Sequence, residues 1–191
     1  MANGTLKVSN IQTSSGSGTI TIGQSGETIS IPSGCTITNS GTQTGFGGVN
    51  TPAFQATLSS SQSISNSTAT KVQLDSEIFD SDGTYDNSSN YRFTPAVAGK
   101  YHVTAKVNYA DASADDKYEE VYIYKNGSSV HSHRTRTVGS TGRDKSTEVN
   151  AIVDLDADDY VEVYTQHNAG SSVNINGGSN QCLFQAFKLV E

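Results

Sequence analysis

From residue 51 onward, apolar and polar residues alternate in short runs separated by turn formers. The clearest run is 99–109. Tyr101, Val103, Ala105, Val107 and Tyr109 fall on one side, and His102, Thr104, Lys106 and Asn108 on the other. That two-residue period is the period of a strand. Further strands are expected at 52–58, 70–74, 77–80, 91–94, 118–124, 129–137, 148–155, 160–164 and 182–190. In 118–124, Val121 and Ile123 alternate with Tyr122 and Tyr124, and in 160–164, Val161 and Val163 alternate with aromatics. Asn126-Gly127 lies between two such runs and accepts the positive φ angles of a tight hairpin. No apolar spacing of helical period is found. About ten short strands without helices describe an all-β sandwich, barrel or jelly roll.

Residues 1–50 follow another pattern. Gly18-Thr19-Ile20-Thr21-Ile22 recurs as Glu27-Thr28-Ile29-Ser30-Ile31 and again as Cys35-Thr36-Ile37-Thr38. β-branched residues between turn signals suggest very short strands. A rung that short buries little alone, so stacked rungs, or the same rungs from several chains, are needed. Two readings stand: a linker, or a slender β-structured stalk or anchor that orders in an oligomer. The domain boundary is placed at 50/51, with 41–50 as a hinge.

Within the second part, the stretch 79–101 concentrates aromatics between turn formers. Phe79, Tyr85, Phe93 and Tyr101 each bring about 150–250 Å² of apolar area. In the last strand, Phe184 and Phe187 fall on opposite faces, and Leu183 and Leu189 share the side of Phe187. Both faces are therefore expected to be covered, one by the core and one by a subunit contact. Phe79, Tyr85, Phe93, Tyr101, Phe184 and Phe187 are the candidate core and subunit-packing residues.

Composition narrows the function. The formal net charge is -7, which argues against a nucleic-acid partner. The basic residues are dispersed except for Arg134, Arg136, Arg143 and Lys145. Cys35 and Cys182 fit no metal-ligand spacing and are expected as free thiols. The first residues lack the basic and apolar regions of a signal peptide. No apolar run approaches the roughly 18 residues of a membrane span, so no membrane insertion is expected.

The stretch Phe79-Asp80, Gly83, Tyr85-Asp86, Phe93, Pro95, Gly99 and Tyr101 resembles the globular head of complement C1q, within the tumour necrosis factor-like superfamily. Asp159-Tyr160-Val161 and the closing Phe184-Gln185-Ala186-Phe187-Lys188-Leu189 carry the same resemblance, which covers 52–191. Asp80 and Asp86 stand where the family often has Asn, and its collagen stalk is absent. The resemblance implies a ten-strand jelly-roll sandwich packed as a homotrimer by apolar and aromatic side chains. The lead-in and phrases such as Tyr124-Lys125-Asn126-Gly127-Ser128 are similar to C1q-type proteins of bacteriophages and marine bacteria.

Candidate chemistry is sparse. Asp154-x-Asp156-x-Asp158 begins like a calcium loop, but Asp159 and Thr165 replace the Gly and Glu it needs. His131 and His133 share a strand face without a further ligand nearby in sequence. Glu119 and Glu120 point to opposite faces and cannot flank one glycosidic bond. Asn3, Asn66, Asn87 and Asn126 open glycosylation-type triplets, read as chance in an Asn-rich chain. No nucleophile elbow, zincin helix or phosphate loop occurs.

No enzyme, cofactor or metal is expected. The expected function is a virion structural protein: a trimeric fibre, spike or decoration, joined to other virion proteins through 1–50. Its head would meet a neighbouring subunit or a host-surface glycan or receptor, a glycan being met through the loops 111–116, 139–145 and 168–180. The alternative is a secreted or cell-surface bacterial binding module.

Overall fold

The computed structural model describes residues 9, 11–12, 18–40, 50–112, 117–136, 143–178 and 180–189. The chain divides into two units, Met1–Thr44 and Gly45–Glu191.

In the first unit, the turns form where they were expected. The Glu27 N–H donates to the Gln24 carbonyl at 3.0 Å, and the Cys35 N–H to the Pro32 carbonyl at 3.1 Å. The rungs between them carry no strand among the described residues, and the described side chains from 18 to 40 are all exposed.

The second unit contains thirteen strands among the described residues. They are β1 (Ala53–Thr57), β2 (Gln62–Ile64), β3 (Thr70–Lys71), β4 (Ser76–Asp80), β5 (Tyr85–Asp86), β6 (Arg92–Phe93) and β7 (Gly99–Ala112). There follow β8 (Tyr118–Lys125), β9 (Ser128–Arg136), β10 (Arg143–Leu155), β11 (Val161–His167), β12 (Val173–Ile175) and β13 (Leu183–Lys188). The count exceeds the expected ten because β2, β5 and β12 are too short to declare themselves. The 168–180 stretch, expected as one loop, contains β12. The expected loops at 111–116 and 139–145 are partly strand, since Ala112 pairs with Arg143. Residues 113–116 and 139–142 of these loops lie outside the described residues.

The strands form two sheets. The first runs β2-β12-β7-β13-β1-β4 with β10 on the other edge of β7, and the second runs β5-β6-β11-β8-β9 with β3 on β11. One apolar core unites side chains from both, including Val103, Val107, Val121, Ile123, Val161 and Val163. Alternation explains the layering, since every second residue of each strand turns inward. The Asn126-Gly127 turn forms as expected, with φ of 50° and 78°, and sets β8 against β9.

Phe54 is the hub of the core. Its ring stacks on Tyr85 at 4.6 Å and on Phe93 at 4.7 Å, and meets Phe184 edge-on at 4.8 Å. Tyr101 packs edge-on to Phe93 at 5.6 Å. The buried hydroxyls find partners, Tyr85 donating to the Leu74 carbonyl at 2.8 Å and Tyr101 to the Val97 carbonyl at 2.7 Å. Tyr85, Phe93, Tyr101 and Phe184 are therefore core residues as expected.

Phe79 is not. It is 48% exposed. The register slips where β4 passes Gln55 and Ala56, leaving Ile78 as the extra residue of a bulge. Asp80 then pairs with Phe54, while Phe79 pairs with Gln55 and takes the outward side.

The loop carrying β12 is closed by backbone contact. The Gly178 N–H donates to the Leu58 carbonyl at 2.7 Å. A Cβ on Gly177 would stand 2.3 Å from the Ser60 carbonyl carbon, so this crossing requires glycine.

Candidate interaction surfaces

No group of three or more metal-ligating side chains gathers among the described residues. His131 and His133 lie exposed on β9, with His133 Nδ1 2.7 Å from the Glu148 carbonyl oxygen. Asp154 is the penultimate residue of β10, while Asp156 and Asp158 occupy the following turn. In that turn Asp159 is the engaged carboxylate. It pairs with Lys125 at 2.7 Å and accepts from Asn126 Nδ2 at 2.6 Å and the Asp156 N–H at 2.8 Å. Lys125 and these donors hold its pKa down at about 2. Glu119 and Glu120, adjacent on β8, are both buried. Cys35 is exposed and Cys182 buried, both free, and burial pushes the Cys182 thiol up to about 11.

What remains is the outward side of each sheet. On the first, register aligns side chains in rows, because residues paired across antiparallel strands share a face. One row is Ile152, His102, Phe187 and Ala53. The next is Asn150, Thr104, Gln185, Gln55 and Phe79. A third is Glu148, Lys106, Leu183 and Thr57. Ile152 is 59% exposed, and Phe187 is half-buried against the His102 ring at 5.3 Å. His102 Nδ1 is buried and makes no hydrogen bond. Phe187 is thus an outward residue, on the opposite face from Phe184.

The second sheet presents different chemistry. Its rows are Arg136 with Tyr118; Arg134, Glu120 and Gln166; Ser132, Tyr122, Tyr164 and Lys71; and Ser129, Tyr124, Glu162, Arg92 and Asp86. The Tyr124 and Tyr164 rings stack at 4.1 Å, and Tyr122 meets Tyr124 edge-on at 6.0 Å. Arg134 lies over Tyr118 at 4.0 Å and Arg92 over Tyr160 at 4.4 Å. Arg134 Nε and Nη2 both donate to Glu120 Oε2, at 2.8 and 2.6 Å, and Lys71 pairs with Glu162 at 2.5 Å. The Tyr122 hydroxyl donates to Gln166 Oε1, and Gln166 Nε2 donates to the Tyr118 hydroxyl, each at 3.2 Å. Burial and the neighbouring Glu120 push the Tyr122 hydroxyl up to about 12. Sequence reading placed Tyr122 and Tyr124 opposite Val121 and Ile123. It could not place β8 beside β11, because that pairing is not local in sequence.

Among the described residues no helix is long and apolar enough to cross a membrane. No family model and no curated protein matches the chain. Solved structures do match. The Eiger TNF of S. frugiperda is 12% identical, covering 72% of this chain and 91% of its own, with a TM-score of 0.52. The globular domain of zebrafish complement 1qA is 15% identical, over 72% and 97%, with a TM-score of 0.52. Murine APRIL is 11% identical, over 72% and 98%, with a TM-score of 0.54. At such identities the likeness is one of fold, and it agrees with the two antiparallel sheets and shared core described above. The chain carries a C1q/TNF-like jelly-roll domain.

Proposed function

We propose that the chain is a non-enzymatic structural protein of a virion. In this reading it is a homotrimeric fibre, spike or decoration, joined to other virion proteins through residues 1–50, with its head turned to a host surface or a neighbouring subunit. The observation that carries the trimer is the outward side of the first sheet. Ile152, Phe187, Leu183 and Phe79 leave apolar area there that a single head does not bury. The unpartnered His102 nitrogen within that face fits a surface completed by another copy. The exposed isoleucines of the lead-in support assembly through it, since Ile20, Ile22, Ile29, Ile31 and Ile37 are each between 43% and 61% exposed.

Particle mass in solution, together with electron micrographs of the assembly that carries the protein, tests this. The expected mass is that of three chains, reduced to one chain by Phe187→Glu with Ile152→Glu. A monomeric wild type, or a trimer indifferent to both changes, overturns the trimer. Location on a bacterial surface instead of a particle overturns the virion role.

A further inference from the structure

We propose that the outward side of the second sheet binds a glycan whose sugars carry carboxylates. The inference rests on the reading that the head contacts a surface. It moves the contact from the loops to the sheet.

The face is built from rings and polar groups. The paired rows contain Tyr118, Tyr122, Tyr124 and Tyr164, with Tyr160 beneath Arg92, and no aliphatic side chain. Tyrosine and arginine are common in protein–protein contacts too, but the core of such a contact is depleted in charged residues, and every one of these rows carries at least one. Sugars present C–H faces and hydroxyls instead, and tyrosine answers both with one ring and one hydroxyl.

Charge selects among sugars. Glu120 is 6% exposed and Glu162 4% exposed, so the carboxylates lie below the surface. Their partners stand above it, with the Arg134 side chain 48% and the Lys71 side chain 29% exposed. Solvent therefore meets cations here, on a chain whose net charge is -7. Arg134 and Arg136 line the β9 edge; on the far side of β11 stand Lys71 on β3 and Arg92 on β6, with Asp86 of the edge strand β5 beside Arg92. Three inter-strand spacings of about 4.8 Å separate β9 from β3 and β6, so anionic groups roughly 14 Å apart can be met by cations on both sides. A guanidinium has five donors in a planar fork suited to carboxylate, and Arg134 holds Glu120 with Nε and Nη2 only.

The face is also rigid before any ligand arrives. The Tyr124–Tyr164 stack and the Tyr122–Gln166–Tyr118 chain of hydrogen bonds hold side chains that would otherwise need ordering on binding. Pre-organisation of this kind lowers the entropy cost of association.

The chain has no tryptophan and nine tyrosines, of which Tyr118, Tyr122, Tyr124, Tyr160 and Tyr164 belong to this face and Tyr85, Tyr101 and Tyr109 are buried in the core, so ligand-dependent quenching of tyrosine emission reports mainly on this face. The full chain is titrated with short galacturonate oligomers and with sialyllactose, against lactose and uncharged gluco-oligosaccharides. Saturable quenching by one or both acidic ligands is expected, distinguishing uronic from sialic acid, with affinity falling as salt rises. Arg92→Gln combined with Arg136→Gln spares the Glu120–Arg134 pair. It is expected to weaken binding about tenfold or more with the melting temperature unchanged.

Equal binding of uncharged oligosaccharides, an unaltered affinity in the double variant, or protection of these tyrosines by a polypeptide alone overturns the proposal. Mass is measured on the same samples. A trimer that ignores acidic sugars overturns this inference and leaves the trimer standing, while a monomer that binds them does the reverse.

Discussion

The lead-in and the head use the same strand-forming alphabet with opposite results. In the head, Val103, Val107, Ile123 and Val163 are fully buried, while in the lead-in Ile20, Ile22, Ile29 and Ile31 are between 43% and 61% exposed. Both regions alternate apolar and hydroxyl side chains, so alternation alone does not decide burial. What differs is the length of ladder available. β7 spans fourteen residues and is flanked by β10 on one side and by β13 and β12 on the other. The lead-in offers only a few residues between turns. Isolated strand pairs of that size are marginal in water, so alternation there does not by itself bury the isoleucines.

The largest test of this contrast lies in the core. Phe54→Ala removes the ring that joins Tyr85, Phe93 and Phe184 and should cost about 3–5 kcal/mol by leaving a cavity. The loss is read as a lower denaturation midpoint. Thiol titration should follow it: Cys35 reacts at once in wild type and variant, whereas Cys182 reacts only when the head opens, sooner in the variant. Immediate reaction of both thiols in the wild type would refute the buried site.

Gly177→Ala comes next, at about 1–3 kcal/mol, because the added methyl must push Ser60 aside. A melting temperature equal to wild type would deny that crossing.

Acid gives a smaller effect. Asp86, bound by the Ser89 and Ser88 N–H groups and by Asn90, and Asp159, bound first by Lys125, both have pKa values below the ordinary 3.8. For groups lowered on folding, the stabilisation is complete above about pH 4 and is lost as pH falls through the folded value. The melting temperature should therefore drop between pH 4 and pH 2, and the gap between wild type and Asp159→Asn should close over that range. A constant gap would sink the assignment. Residues 1–50 contain a single carboxylate, Glu27, so this dependence belongs to the head.

The smallest effects are expected on the exposed side. Ile29→Ser with Ile31→Ser, or Phe79→Ser alone, should shift the stability of the dissociated head by no more than about 0.5 kcal/mol. A larger loss from Phe79→Ser would return that ring to the core.

Local pattern made much of the head legible. The long run through Tyr101 and Val107, the Asn126-Gly127 turn and the opposed faces of Phe184 and Phe187 each follow from spacing within one strand. What spacing cannot carry is pairing between distant strands. The bulge at Ile78 depends on how β4 meets β1, and it turned Phe79 outward. Phe54 was visible on an expected strand, yet its place as hub depends on Tyr85, Phe93 and Phe184 arriving from elsewhere. β12 hides in a Gly/Ser/Asn stretch because three residues show no alternation. The tyrosine face was half legible: each strand disclosed its outward rings, and only the β8–β11 register joined them.

The placement of β1 has a mechanical consequence. It lies between β13 and β4, paired to both, and the Lys188 N–H reaches back to the Pro52 carbonyl. A pull arriving through the lead-in enters the head along β1. An edge strand would peel away one hydrogen bond at a time. A strand gripped on both sides resists along its length, so two ladders must slide together before the head yields, and the head is suited to bearing tension applied through its N-terminal tether.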